Sequence, residues 1–234
     1  AMLSLAGMFG LFCFGFPIAY TMLFAGLLFG FLGIGKLVFY LLTVQFYQVM
    51  SDTVQVAIPF FLVMGYLLEG AGLMERLFSA FQKLFARLPG SLYMAVISTG
   101  TIFAAATGIV GSSVNLLCVM AEPTMRKGGY DIRMGAGSIA ASGTLGILIP
   151  PSIMLVILGP IVGVPVTDLF ISAVIPGLLL ASLYIGYSLI KCAICPKYGP
   201  PLPPELRPHS LAEVLKELLV GAIPLLVLIF SVLG

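Results

Sequence analysis

Four polar residues stand out against long apolar sequence: Ser112, Ser113 and Asn115 in one run, and Thr144 in another. Each sits where glycine or proline interrupts a helical pattern. The first interruption is Thr107-Gly108-Ile109-Val110-Gly111-Ser112-Ser113, and the second runs from Gly143 through Pro150 and Pro151 to Ser152. A proline pair removes two backbone donors and clashes with the preceding turn, and the glycines loosen the backbone further. In hydrocarbon, exposed backbone polar groups cost several kcal/mol each, so such breaks survive only against protein or a wet cavity.

Two interrupted helices that meet create four ends without intrahelical partners. The carbonyl ends, expected around Ala106–Gly108 and Ser142–Thr144, are hard oxygen donors suited to Na⁺. The N–H ends, expected around Ser112–Asn115 and Pro151–Ser152, point positive dipole ends at a substrate carboxylate. Coupled ion and anion sites of this kind are the pattern of secondary transporters. The bland reading is that serine and glycine here merely allow close helix packing. An intramembrane serine hydrolase using Ser112 or Ser113 would need a base in reach, and the apolar segments hold no histidine, so an enzyme is not expected.

The elements that must carry these breaks are membrane helices. Apolar residues make up 60% of the chain and charged ones 9%, with a mean hydropathy of +1.17. A soluble domain of this length needs far more charge, and the long continuous runs disfavour a barrel, so an all-α polytopic membrane protein is expected. A net charge of +2 gives no support to a nucleic-acid partner. The four cysteines are too scattered for a disulfide framework. Cys192 and Cys195 have a metal-like spacing but lack further ligands, and read as two thiols at a helix end.

Taken in order, residues 2–34 predict one kinked span and residues 36–50 an interfacial or partly buried arm helix. A second span covers 53–73. Residues 74–88 are amphipathic and basic, predicting a helix in the cytoplasmic interface. The run from Gly90 to Ala121 is basic at both flanks, so both flanks belong on one side. Its length, central break and charge predict a re-entrant hairpin with its tip at Gly108–Ser113. Asp131 should cap the next helix, which runs into the second break and resumes over 152–162. Thr167 or Asp168 should cap a span over 169–190. Residues 195–208 hold six prolines and predict a stiff linker, followed by a capping box at Ser210–Glu213. Glu69 and Glu122 each fall near a helix end and should reach for the interface.

Three runs carry a resemblance: AIPFFLVMGYLLEGAGL (57–73), ATGIVGSSV (106–114) and RKGGYDIRMGAGSIAASGTLGILIPPSIMLVILG (126–159). Together they resemble the large membrane subunit of tripartite ATP-independent periplasmic (TRAP) transporters, in its N-terminal half. The resemblance implies one half of an inverted-repeat, elevator-type, sodium-coupled importer in a bacterial or archaeal inner membrane. It implies as partners a small membrane subunit, a periplasmic binding protein delivering an organic acid, and a second half of the large subunit, in the lipid bilayer. By matching motifs it carries Gly111, Ser112 and Ser113 over to the hairpin tip, and Gly143, Thr144, Gly146, Pro150 and Pro151 over to the unwound helix. Joined with the helix ends read above, this gives expected Na⁺ binding by Thr107, Gly108, Gly111, Ser112, Gly143, Thr144, Gly146 and Pro150, and expected substrate binding by Ser113, Asn115, Pro151 and Ser152. The corresponding organisation is a scaffold over 1–88, hairpin and broken helix over 89–164, a span over 165–192, a linker over 193–209, and the start of a further helix over 210–234. A non-transporting assembly subunit is the alternative.

Overall fold

The computed structural model describes residues 2–13, 15–52, 55–108, 110–201, 214, 216–224 and 227, which are helix, turn or loop throughout. The chain divides into two units, residues 1–56 and 57–234.

The first unit holds α1 (Met2–Cys13), α2 (Ile18–Ile34) and α3 (Leu37–Ser51). The single kinked helix expected over 2–34 is instead two helices folded onto each other. Gly15 adopts φ 78°, a conformation open to glycine but strained for other residues. Its N–H closes a turn on Phe12 O at 3.0 Å, and Pro17 then starts α2 from an extended conformation. A Cβ on Gly7 would lie 2.7 Å from Phe29 Cζ, so the α1–α2 contact depends on that missing atom. α3 buries none of its residues. Its aromatic face, with Tyr40, Phe46 and Tyr47 exposed, is the kind of apolar surface that lipid covers.

The second unit holds α4 (Ala57–Gly70), α5 (Leu73–Leu84), α6 (Ser91–Thr107), α7 (Val110–Lys127), α8 (Ile132–Leu148), α9 (Ile153–Val162) and α10 (Val166–Ile194). The span expected over 53–73 stops short, because α4 and α5 bend by 58° at the break between them. The amphipathic pattern of α5 finds a protein groove rather than a lipid surface. Met74, Leu77, Phe78 and Phe81 are buried in one core with Leu92, Val96 and Phe103 of α6. Its polar face carries Lys83, paired with Glu217 at 2.6 Å.

α6, α7 and α8 meet at Gly100. A Cβ there would lie 2.6 Å from that of Ser142 and 3.0 Å from Leu117 Cδ1, so the three helices approach as closely as backbone allows. Asp131 caps α8 as its type predicts, accepting from the Met134 N–H at 2.9 Å. Neither Thr167 nor Asp168 caps α10; Pro165 holds that position with no side-chain bond, and α10 runs past the expected 169–190 at both ends. Among the described residues, α10 is the one helix long and apolar enough by itself to cross a membrane, and there are up to three such spans if each bent pair counts as one.

The stiff linker expected over 195–208 is docked over its described part. Residues 196–198 form a short 3-10 turn. Tyr93 Oη donates to Tyr198 O at 2.6 Å, Gly90 N–H to Gly199 O at 2.9 Å, and Tyr130 Oη to Pro200 O at 2.7 Å. The rings of Tyr93 and Tyr130 pack edge-on with centroids 5.0 Å apart. This knot ties the start of α6, the α7–α8 turn and the end of α10. Cys192 lies buried in it and Cys195 is exposed beyond α10, the two thiols at a helix end that the sequence suggests. His209 and the expected capping box at 210–213 lie outside the described residues.

Burial pushes the Tyr130 hydroxyl above its ordinary value, partly offset by its bond to Ser91. A raised tyrosine contributes stability that is complete below about pH 10 and declines as pH rises through the folded-state value. Tyr130→Phe also strips the Pro200 carbonyl of its donor, and should cost about 1–3 kcal/mol at neutral pH. Thermal unfolding of the solubilised protein across an alkaline series checks both: the variant starts lower, and its stability falls less above about pH 10.

Candidate functional site

α6 ends at Thr107 and α7 begins at Val110, so the chain reverses between them. Gly108 has φ 62°. A Cβ on it would lie 2.9 Å from Pro151 O and 3.3 Å from Ile153 N. The hairpin tip is therefore seated on the α8–α9 break, backbone against backbone. The two interruptions read from the sequence form one place.

Hydroxyls gather around this seat. Thr107 Oγ1 lies 3.1 Å from Phe103 O, to which it donates, and 3.2 Å from Ser113 Oγ. Both side chains are buried. Ser112 Oγ donates to Glu69 Oε2 at 2.5 Å. Glu69, expected to reach for the interface, is thus turned to the hairpin tip instead. α4 packs beside α6 and α9, and the Ser112–Glu69 bond places its last turn against the start of α7. Glu122 is different: it pairs with Arg126 at 3.1 Å on a largely exposed surface.

The second break is shorter than expected. α8 continues regularly through Gly143, Thr144 and Gly146 to Leu148, and only Ile149–Ser152 leaves the helix, across a cis Pro150–Pro151 bond. The carbonyl end accordingly moves from Ser142–Thr144 to the last turn of α8. Prolines at 150 and 151 lack an N–H, so Gly146 and Ile147 lose their ladder donors. Ser152 Oγ replaces one of them, donating to Ile147 O at 2.7 Å. Gly143 is buried at the α7–α8 crossing, where a Cβ would lie 2.1 Å from Val114 Cγ2. That is the packing role weighed in the sequence.

Thr107, Gly108, Ser112, Ser113, Pro151 and Ser152 are thereby brought to the seat, with Pro150 beside them and Gly146 one turn below. Gly111, Asn115 and Thr144 are exposed. The Thr144 hydroxyl bonds back to Ala141 O at 2.7 Å within its own helix. Among the described residues the side-chain and carbonyl donors at the seat are oxygens, hydroxyls and carbonyls, with the Glu69 carboxylate behind the Ser112 hydroxyl. Such a set fits a hard cation. Glu69 is the residue that sequence reasoning missed, and its signal was available as a carboxylate in an otherwise apolar helix.

The chain matches, over residues 5–234, the model of the family described as tripartite ATP-independent periplasmic transporter, DctM component. It belongs to this family. Among its relatives is the large permease protein of a C4-dicarboxylate TRAP transporter of Pseudomonas aeruginosa, 34% identical over 59% of this chain and 33% of that one. The large permease protein of a sialic acid TRAP transporter of Vibrio cholerae is 29% identical over 92% of this chain and 49% of its own. The permease of an isethionate TRAP transporter of Oleidesulfovibrio alaskensis is 33% identical over 56% of this chain and 21% of its own. The chain thus spans at most about half the length of these relatives.

Within this DctM-family chain the two tight glycines should fail differently on substitution. Gly143→Ala meets a side chain, so Val114→Ala should restore most of the stability it removes. Gly108→Ala meets the Pro151 carbonyl and a left-handed φ, costing at least about 1–2 kcal/mol, and trimming Val114 should restore none of it. Thermal unfolding of the four variants distinguishes the cases.

Proposed function

We propose that this chain is a membrane subunit of a secondary active, sodium-coupled importer of organic acids. The observation that carries the proposal is the seating of the hairpin tip on the proline break, which sets buried hydroxyls beside freed carbonyls. Family membership supports a role in transport. The relatives named for C4-dicarboxylate and sialic acid support an acidic substrate.

In this reading Na⁺ is a co-transported ion that links substrate movement to its own gradient. Thr107 and Ser112 would offer hydroxyl oxygens to it, and Gly108 and Gly146 backbone carbonyls. Pro150 contributes by what it lacks, since its missing N–H leaves the Gly146 carbonyl without a ladder donor and able to face a cation, while Ser152 takes the Ile147 carbonyl that Pro151 frees. Ser113 and Ser152, at the starts of α7 and α9, lie where helix dipoles favour a carboxylate. The exposed Asn115 and Thr144 suit a substrate face shared with a second half of the transporter. The remaining partners would be a small membrane subunit and a periplasmic binding protein that delivers the acid, at a bacterial or archaeal inner membrane. The hairpin and broken helix would travel together as the mobile part of an elevator.

The test is uptake of radiolabelled acids by the complete complex in proteoliposomes, with sodium varied outside. Wild type should show saturable sodium dependence. Thr107→Val removes one oxygen ligand and should raise the half-saturating sodium concentration by about 10–100-fold, the loss of one charge-assisted contact of ~1.5–3 kcal/mol. Sodium-independent uptake by wild type would overturn the coupling. Absence of uptake under any gradient would favour a non-transporting assembly subunit.

A further inference from the structure

We infer that Glu69 is a positioning residue for the cation at the hairpin tip, acting through the Ser112 hydroxyl. The inference rests on the sodium reading above and adds to it a residue from another helix. Three observations carry it. Ser112 Oγ donates its proton to Glu69 Oε2, which joins the last turn of α4 to the first turn of α7. A hydroxyl that gives its only proton to a carboxylate keeps both lone pairs for another partner, and the carboxylate raises the electron density on that oxygen. The bond therefore fixes which way the hydroxyl faces, and leaves it an acceptor.

The setting of Glu69 is as informative as the bond. α4 buries little: Gly65 is its one buried residue, while Phe60, Tyr66 and Leu67 are exposed. A carboxylate is costly in such an apolar segment unless it is paired or hydrogen-bonded. Its position at the N-terminal turn of α7 supplies a second favourable term, because the helix dipole is positive there. Glu69 is half-buried, so its charge acts through a medium less polar than bulk water. The same charge lies one hydroxyl away from the seat at which Thr107, Gly108 and Pro151 meet. A fixed negative charge behind a hydroxyl ligand is the arrangement that strengthens binding of a cation without itself touching it.

The consequence is specific. Glu69→Gln keeps an oxygen that accepts the Ser112 proton and removes the charge. Glu69→Ala removes both. Ser112→Ala removes the group through which Glu69 acts.

The experiment is equilibrium binding of radiolabelled sodium to the detergent-solubilised complete complex, run beside sodium-titrated uptake in proteoliposomes. The expected result is a dissociation constant for sodium raised about 10–100-fold in Glu69→Ala and by less in Glu69→Gln. In Glu69→Gln the half-saturating sodium concentration for uptake should rise by the same factor as the dissociation constant. In the Ser112→Ala background, Glu69→Ala should add little, since the two substitutions remove one pathway. Unchanged sodium affinity in both Glu69 variants, with wild type binding sodium normally, would overturn this inference and leave the sodium reading standing. So would a Glu69→Ala effect that persists undiminished without the Ser112 hydroxyl. Wild type that binds no sodium would overturn both together.

Discussion

The seat of Gly108 on the Pro151 carbonyl is the contact on which the rest of the site depends. Neither half of it supplies all of its own backbone partners. A helix interrupted at Ile149–Ser152 leaves backbone carbonyls without ladder donors, and a hairpin that reverses across Gly108 leaves two more helix ends unpaired. In hydrocarbon each would be costly alone. Brought together they shield one another, and the approach is as close as it is only because residue 108 has no Cβ. The hydroxyls of Thr107 and Ser113 are buried as a result of that approach. Close packing at Gly100 and Gly143 lower in the bundle serves the same end, holding α6, α7 and α8 at a separation from which the tip can reach the break.

Much of this architecture is legible in the amino-acid sequence because it follows from a few strong constraints. Basic residues on both sides of 90–121 dictate that the run turns back, and the glycines within it locate the turn. Pro150 and Pro151 stop any helix. Asp131 is a capping residue in front of an apolar run, and it caps. What stayed hidden depends on choices that local sequence leaves open. Gly15 and Pro17 allow either a kink or a full reversal, and packing of Gly7 against Phe29 decides for reversal. The amphipathic pattern of α5 fits a lipid interface and a protein groove equally well, since either buries one face. The docked linker depends on tyrosines at 93 and 130, far from it in sequence.

The site divides in the same way. Residue type and spacing single out Ser112, Ser113, Thr107 and Gly108, because hydroxyls beside a glycine break can satisfy loose backbone or a ligand and little else. Gly143 and Thr144 were misplaced in the break because glycine weakens a helix by only about 1 kcal/mol, which close packing readily offsets. The helix continues past them until the prolines, where no packing can supply the missing donors. Glu69 was misread for a geometric reason. Counting turns to a helix end assumes that the end faces the interface, whereas the last turn of α4 meets the first turn of α7.

The distribution of contacts along the bundle bears on how such a site can work. At its base, the start of α6, the α7–α8 turn and the end of α10 are tied by tyrosine hydroxyls bonded to backbone carbonyls, in a knot with Cys192 buried at its centre. At its tip, among the described residues, α6, α7, α8 and α9 are joined by the Gly108–Pro151 approach, hydroxyl bonds and a small apolar cluster of Ala105, Leu145 and Ile149, with Gly111, Asn115 and Thr144 exposed beside them. Local opening draws on the regions with fewest buried apolar contacts. A ligand that supplies oxygen coordination or a carboxylate at the tip would therefore change the order of that region most, and leave the base as it is. The polar groups that set the tip apart from the apolar core around it are the same ones that let it respond to what binds there.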